Sequence, residues 1–329
     1  MKTQKVIQKI KKLSEKYSST GQDLYSYLDG LLYADYIGYW NYIHLDTLLS
    51  LQTPKTDFPD EKIFIIYHQI TELYFQLSLL ELEQINNNGR NVSETGEDLG
   101  WKKTLTVELF VEKMKRLNRY SINLINSFDI MIHGMHKEQF LKFRMSLLPS
   151  SGFQSVQYRM MEIQSTDLVN LRGATLIPKK TESNSMNKIF NNLYWKIGAN
   201  ELASGKKTYT LKQFEKRYQD GLIKLAKKMK SNNIWQKYKS LSLKDKKNKT
   251  LIKLLREYDR NININWKLVH YKSVVQYLKT SRANIIATGG TNWQEFLPPK
   301  FQKIIFFPEL WSQTEKKNWG KTWVQSIIS

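Results

Sequence analysis

Apolar residues spaced three and four apart recur along most of the chain, the periodicity of helices that each bury one face. From about Pro59 to Ile85, the positions Ile63, Ile66, Ile70, Leu73, Leu77 and Leu80 predict a long helix with that stripe buried. Pro59 suits a first turn, where a missing N–H costs nothing, and Asp60 and Glu61 set negative charge at the positive end of the helix dipole. Asn86-Asn87-Asn88-Gly89-Arg90 ends it. Val107, Phe110, Met114, Leu117, Leu124, Phe128 and Met131 predict a second long helix from about Lys103 to Met131, with an interruption at Gly134. A shorter helix from Lys137 to Leu148, the turn Pro149-Ser150-Ser151-Gly152 and a helix from Phe153 to Gln164 follow. Two further helices are predicted from Leu251 to Tyr258 and from Ile264 to Lys279. Nearer the start lie an amphipathic helix from Met1 to Tyr17 and a short one from Ile43 to Gln52. No run alternates polar and apolar residues as a strand would, so the predicted class is all-α, a helical bundle folded as a single domain over 1–329.

Between these helices, Gly21 to Ser50 is dense in tyrosine, the composition of a contact surface or a pocket wall, and equally of packing between short helices. Ile177 to Asn187 reads as a loop excursion. Lys206 to Lys249 carries fifteen Lys/Arg against Glu215, Asp220 and Asp245, a net +12 within a chain of +21, and reads as a lysine-rich helical insertion. A charge so concentrated, with no RNP, KH, zinc-finger or helix-turn-helix signature, fits a solvated helical face better than a nucleic-acid groove. Hydrophobic residues at 41% and aromatics at 12% describe a folded globular chain of 329 residues. Cysteine is absent, which excludes disulfides, thiolate metal sites, a thiolate haem ligand and covalent C-x-x-C-H haem attachment. No stretch reaches the roughly 18 apolar residues of a membrane span. The expectation is a soluble, cytoplasmic protein.

Five histidines are available for chemistry: His44, His68, His133, His136 and His270. His133 and His136 flank Gly134 with no carboxylate pattern nearby, and surface or packing roles suit them. His68 and His270 each sit mid-helix on an apolar face, with Phe64 one turn before His68 and Trp266 one turn before His270. A buried histidine in a cysteine-free chain is compatible with proximal ligation of a non-covalent haem and equally with a core histidine bonded to a carbonyl. Spacing does not choose between them.

Five ordered motifs do more. Tyr39-Trp40-Asn41-Tyr42-Ile43-His44-Leu45-Asp46 comes first, followed by Asp60-Glu61-x-x-Phe64-Ile65-x-x-His68-Gln69-x-x-Glu72-Leu73. Phe140-x-x-x-Arg144 leads into Ser151-Gly152-Phe153-Gln154-Ser155-x-Gln157-Tyr158-Arg159. Trp266-x-x-x-His270 precedes Thr288-Gly289-Gly290, and Phe306-Phe307-Pro308-Glu309-Leu310-Trp311 closes the series. Together, over about 39–311, they resemble the haem-dependent tryptophan 2,3-dioxygenases. The resemblance implies a helical bundle that binds haem b non-covalently, with ferrous iron in the active form and O₂ as co-substrate. It also implies a homotetramer, a dimer of dimers, acting on L-tryptophan without nucleic-acid or membrane partners. His270 matches the axial ligand of the iron, and His68 the distal residue that accepts the indole N–H. Arg144 matches the residue that grips the substrate carboxylate, and Thr288 the one beside its ammonium group. Phe64 and Phe140 match pocket aromatics; Ser151, Gly152 and Trp266 fall at haem-binding positions. Tyr39 and Tyr42 match tyrosines that close a neighbouring subunit's site, and residues 1–38 match intersubunit helices.

The chain departs from the family pattern in the loop around Thr288, which reads Ala287-Thr288-Gly289-Gly290-Thr291, and in Tyr271 after the axial histidine. A monooxygenase on the same scaffold, adding one oxygen to a tryptophan- or tyrosine-like substrate, is the alternative of the same class. A basic helical nucleic-acid-binding protein is the alternative of another.

Overall fold

A computed structural model describes residues 2–147, 154–172, 186–200, 206–279 and 297–321. The chain divides into two compact units, Met1–Thr53 and Pro54–Ser329. The first holds α1 (Lys2–Ser19), α2 (Leu24–Tyr33), α3 (Tyr39–Tyr42) and α4 (Leu45–Ser50). Asp23 caps α2 by accepting from the N–H groups of Tyr25 and Ser26. This unit buries little: Val6, Ile7, Ile10 and Leu13 of α1 are exposed, as are Tyr36, Tyr39, Trp40 and Tyr42.

The second unit is built on α5 (Pro59–Asn86), with Pro59 in the first turn as its ring requires. A hairpin of β1 (Arg90–Val92) and β2 (Asp98–Trp101) follows and is a correction to the sequence reading, which expected no strand. Its strands are three and four residues long, too short for alternation to show. α6 (Val107–Ser127) starts where Thr106 caps it and stops at Phe128. α7 (Asp129–His133) is therefore a separate turn of helix rather than the end of one long rod. Next come α8 (Lys137–Phe143), running into a 3₁₀ turn at Arg144–Leu147, then α9 (Val156–Ser165), α10 (Met186–Asn191) and α11 (Tyr194–Ile197). The lysine-rich region forms α12 (Tyr209–Met229), α13 (Ile234–Ser240) and α14 (Leu243–Lys246). α12 is amphipathic: Leu211, Phe214, Leu222 and Ala226 join the main core, while Lys212, Lys216, Lys224 and Lys228 face solvent. Among the described residues, no helix is long and apolar enough to cross a membrane.

The two helices expected near the end are one rod. α15 (Lys249–Arg260) passes through a π-turn at Asn261–Asn265 into α16 (Trp266–Leu278), and the Trp266 N–H donates to the carbonyl of Asn261, five residues back. The turn absorbs one extra residue, and this breaks the apolar phase between Tyr258 and Ile264 that made the sequence read as two elements. The rod also changes cores here. Leu251, Leu255, Tyr258 and Ile262 belong to a cluster with α5, α6, α9 and α12, whereas Ile264, Leu268, Tyr271 and Tyr277 belong to a second cluster with α7 and α8. Asp259, fully buried, ties residues 306–311 to this rod. It accepts from the N–H groups of Phe306 (2.9 Å) and Phe307 (3.1 Å), from Trp311 Nε1 (2.9 Å) and from Asn263 Nδ2 (2.8 Å).

One expectation fails on α5. The helix buries Tyr67, Phe75, Leu79, Leu82 and Ile85, while Ile66, Leu73, Leu77 and Leu80 of the predicted core stripe are exposed. The helix is apolar on more than one side, so periodicity alone did not say which side meets the core.

Candidate functional site

His68 projects from the middle of α5, and its Nδ1 lies 2.7 Å from the carbonyl oxygen of Phe64. A carbonyl only accepts, so Nδ1 carries the proton and Nε2 presents a lone pair. The Phe64 and His68 rings are 4.1 Å apart, the one-face pairing that their spacing predicts. Burial within the helical body pushes the His68 imidazole below its ordinary pKa, yet its side chain remains solvent-accessible.

His270 projects from α16 and is more deeply set. Burial lowers its pKa to about 4, and His68 adds to the effect. The structure therefore brings the two imidazoles into electrostatic range of each other and keeps both neutral near pH 7. Between them runs a line of rings: Tyr67 meets His68 edge-on at 6.4 Å, Phe128 meets Tyr67 at 5.5 Å, and Phe128 meets both His270 at 6.0 Å and Trp266 at 5.1 Å. On the α8 side, Phe140 lies 6.2 Å from Phe64 and 4.7 Å from Tyr277, and Phe143 lies 5.9 Å from Phe64. Arg144 follows Phe140 by four residues and is 8% exposed; burial pulls its guanidinium below its ordinary pKa, a range in which it is still charged.

Hydrogen bonds fix these walls. Asp60 Oδ2 accepts the His136 N–H at 2.6 Å and so joins the start of α5 to the start of α8. Ser273 Oγ donates to the carbonyl of Met131, and the Tyr277 hydroxyl to that of Met135, holding α16 against α7 and the turn beyond it. Behind α16 lies a buried ionic cluster. Glu162, 1% exposed, accepts from Arg159 Nη1 at 2.7 Å and from the Tyr194 hydroxyl at 2.7 Å. The Lys267 ammonium sits 4.5 Å from the centre of the Tyr194 ring, and burial lowers its pKa to about 7.

Of the residues singled out in the sequence, Phe64, His68, Phe140, Trp266 and His270 fall around one site, and Arg144 adjoins it. Tyr39 and Tyr42 are exposed, at 71% and 73%, in the first unit. Ser151, Gly152 and Thr288 lie outside the described residues, as does most of the excursion at 177–187. His133 and His136 are exposed, His133 beside Asp129. Sequence reading missed Tyr67 and Phe143 as walls of the site. Phe128 was visible only as a core position, the last but one of the stripe that ends at Met131.

A family model described as tryptophan 2,3-dioxygenase matches residues 29–280. A tryptophan 2,3-dioxygenase of Ruegeria sp. (strain TM1040) is 38% identical over 130 residues, 40% of this chain and 42% of its own length. Those of Bradyrhizobium diazoefficiens and Bacillus thuringiensis (strain Al Hakam) are each 33% identical, over 126 and 124 residues. The matched stretch spans about two-fifths of the length of these relatives.

Proposed function

The chain belongs to the tryptophan 2,3-dioxygenase family, and from that premise we propose that it is a haem-dependent dioxygenase placing both atoms of O₂ across the indole C2–C3 bond of L-tryptophan to give N-formylkynurenine. The observation that carries this reading is the pair of neutral imidazoles on α5 and α16 joined by one line of aromatic rings. The donor set suits haem: a half-buried, unprotonated imidazole offers its lone pair to iron, flat aromatic side chains accept a macrocycle, and no thiolate competes. Haem, when bound, supplies O₂ binding and the redox chemistry. His270 would hold its iron, with Trp266 and Phe128 against the same face of α16.

The remaining work falls to the chain. His68, with its proton committed to the Phe64 carbonyl, accepts the indole N–H at Nε2 and orients the ring. Phe64, Phe140 and Phe143 enclose the indole and exclude water. Arg144 offers a planar pair of donors to the α-carboxylate, which lysine does not reproduce. In this reading Ser151 and Gly152 help seat the haem, and Thr288 meets the substrate ammonium. The homotetramer fits the exposed apolar stripe of α5 and the exposed Tyr39 and Tyr42, surfaces that a second copy would cover. A cytoplasmic location belongs to the same reading.

Mass spectrometry of the product formed under ¹⁸O₂ tests the reaction: two labelled oxygens are expected, and one would assign the monooxygenase chemistry instead. Arg144→Ala is expected to retain haem and to lose about 1.5–3 kcal/mol of affinity for L-tryptophan, roughly 10- to 150-fold. Calorimetric titration of the haem-loaded variant checks this, and an unchanged Kd removes Arg144 from the site.

A further inference from the structure

Glu72 stands one helical turn beyond His68 on α5, and no role above accounts for it. A carboxylate at that distance favours a proton on the imidazole, and it acts on His68 in that direction, opposing the effect of burial. A protonated His68 would carry hydrogen on both nitrogens and could not accept from an indole. The restraint on Glu72 comes from α9. Gln157 Nε2 donates to Glu72 Oε2 at 2.9 Å and to the Glu72 backbone carbonyl at 3.0 Å, so both amide hydrogens are spent on one residue. The two acceptors lie on the same residue, which fixes the carboxylate in direction as well as position.

We infer that Gln157 is a positioning residue that holds the Glu72 carboxylate on α9 and so keeps His68 an uncharged acceptor for the substrate's ring N–H. The inference rests on the function proposed above and deepens it. Among the charged or titratable groups of the described residues around His68, Glu72 on α5 draws a proton towards it, His270 on α16 lies in electrostatic range, and the Tyr67 ring meets it edge-on at 6.4 Å. The α8 side meets it through Phe64 with uncharged rings, Phe140 and Phe143. Freed from Gln157, the Glu72 side chain has the rotamers to turn towards a residue at i−4, the neighbour relation on a helix surface.

The test uses the full-length, haem-loaded protein and the variants Gln157→Leu, Glu72→Gln and the two combined. The pH dependence of L-tryptophan binding is read by calorimetry, and His68 is titrated directly by NMR of ¹³C-labelled histidine in the ferrous carbonyl form. Gln157→Leu is expected to raise the His68 pKa and to move the acid limb of the binding profile upward by about one unit, the scale of a nearby unscreened carboxylate. The combined variant is expected to return both to the Glu72→Gln values, which a loss of packing alone would not do. Unmoved His68 titration in Gln157→Leu overturns the inference, as does a shift that persists in the combined variant. If no variant and not the parent protein binds L-tryptophan, the proposed function fails, while the NMR titration still decides whether Gln157 governs His68.

Discussion

Replacing His270 with alanine is expected to yield a protein that folds but does not retain haem. The side chain is the imidazole on α16 with its lone pair kept free by burial, and Met131, Ile132 and Met135 hold that helix through Ser273 and Tyr277 whatever occupies position 270. Removing the ring leaves the packing of Leu268, Tyr271 and Tyr277 in place, so helicity should survive while the hold on a haem iron would not. Even outer-shell changes cost metal sites about 10–100-fold in affinity, and loss of the ligand itself should exceed that range. The check is the Soret absorption of material produced with ample haem, alongside far-ultraviolet circular dichroism. Imidazole added to the variant should fill the space and partly restore the spectrum. A variant that keeps full haem occupancy without it would show that His270 does not hold the iron.

The second large effect is expected in stability. Glu162→Ala removes the carboxylate that Arg159 and Tyr194 share, in a place where both Glu162 and Arg159 are buried. Burial alone would disfavour the Arg159 cation, and Glu162 and the stacked rings of Tyr158, Tyr194 and Trp195 offset this. Breaking a buried pair by deleting one partner costs about 3–5 kcal/mol, a large part of the roughly 5–15 kcal/mol that holds a typical domain folded. Urea unfolding should report that loss. Glu162→Met combined with Arg159→Met should recover most of it, because neither partner of the pair is then left unmatched and Lys267, its pKa already lowered to about 7, can go uncharged. A single-variant loss below about 1 kcal/mol, the range of an exposed pair, would mean that the cluster is solvated.

The helical class was legible because the apolar spacing of three and four is long and regular, as in Val107, Phe110, Met114 and Leu117, all buried. The pairing of His68 with Phe64 was legible from four-residue spacing alone. What escaped depended on tertiary placement. Ile66, Leu73, Leu77 and Leu80 carry the same periodic signal as a core stripe, yet α5 turns Tyr67 and Phe75 inward, and no local rule weighs one apolar side against another. The continuity of α15 and α16 was hidden by a π-turn, because the phase change it absorbs looks like the end of a helix. The convergence of two histidines about two hundred positions apart is invisible to periodicity, and only motif order anticipated it.

The four donors around Asp259 have a consequence for how the chain is made. Three of them, from Phe306, Phe307 and Trp311, lie 47, 48 and 52 residues further along. During synthesis the rod that bears His270 emerges well before them, with its buried Asp259 still without most of its partners. The rod therefore completes its internal hydrogen bonding only after residues 306–311 have been made and have docked, which makes closure around Asp259 a late event in folding.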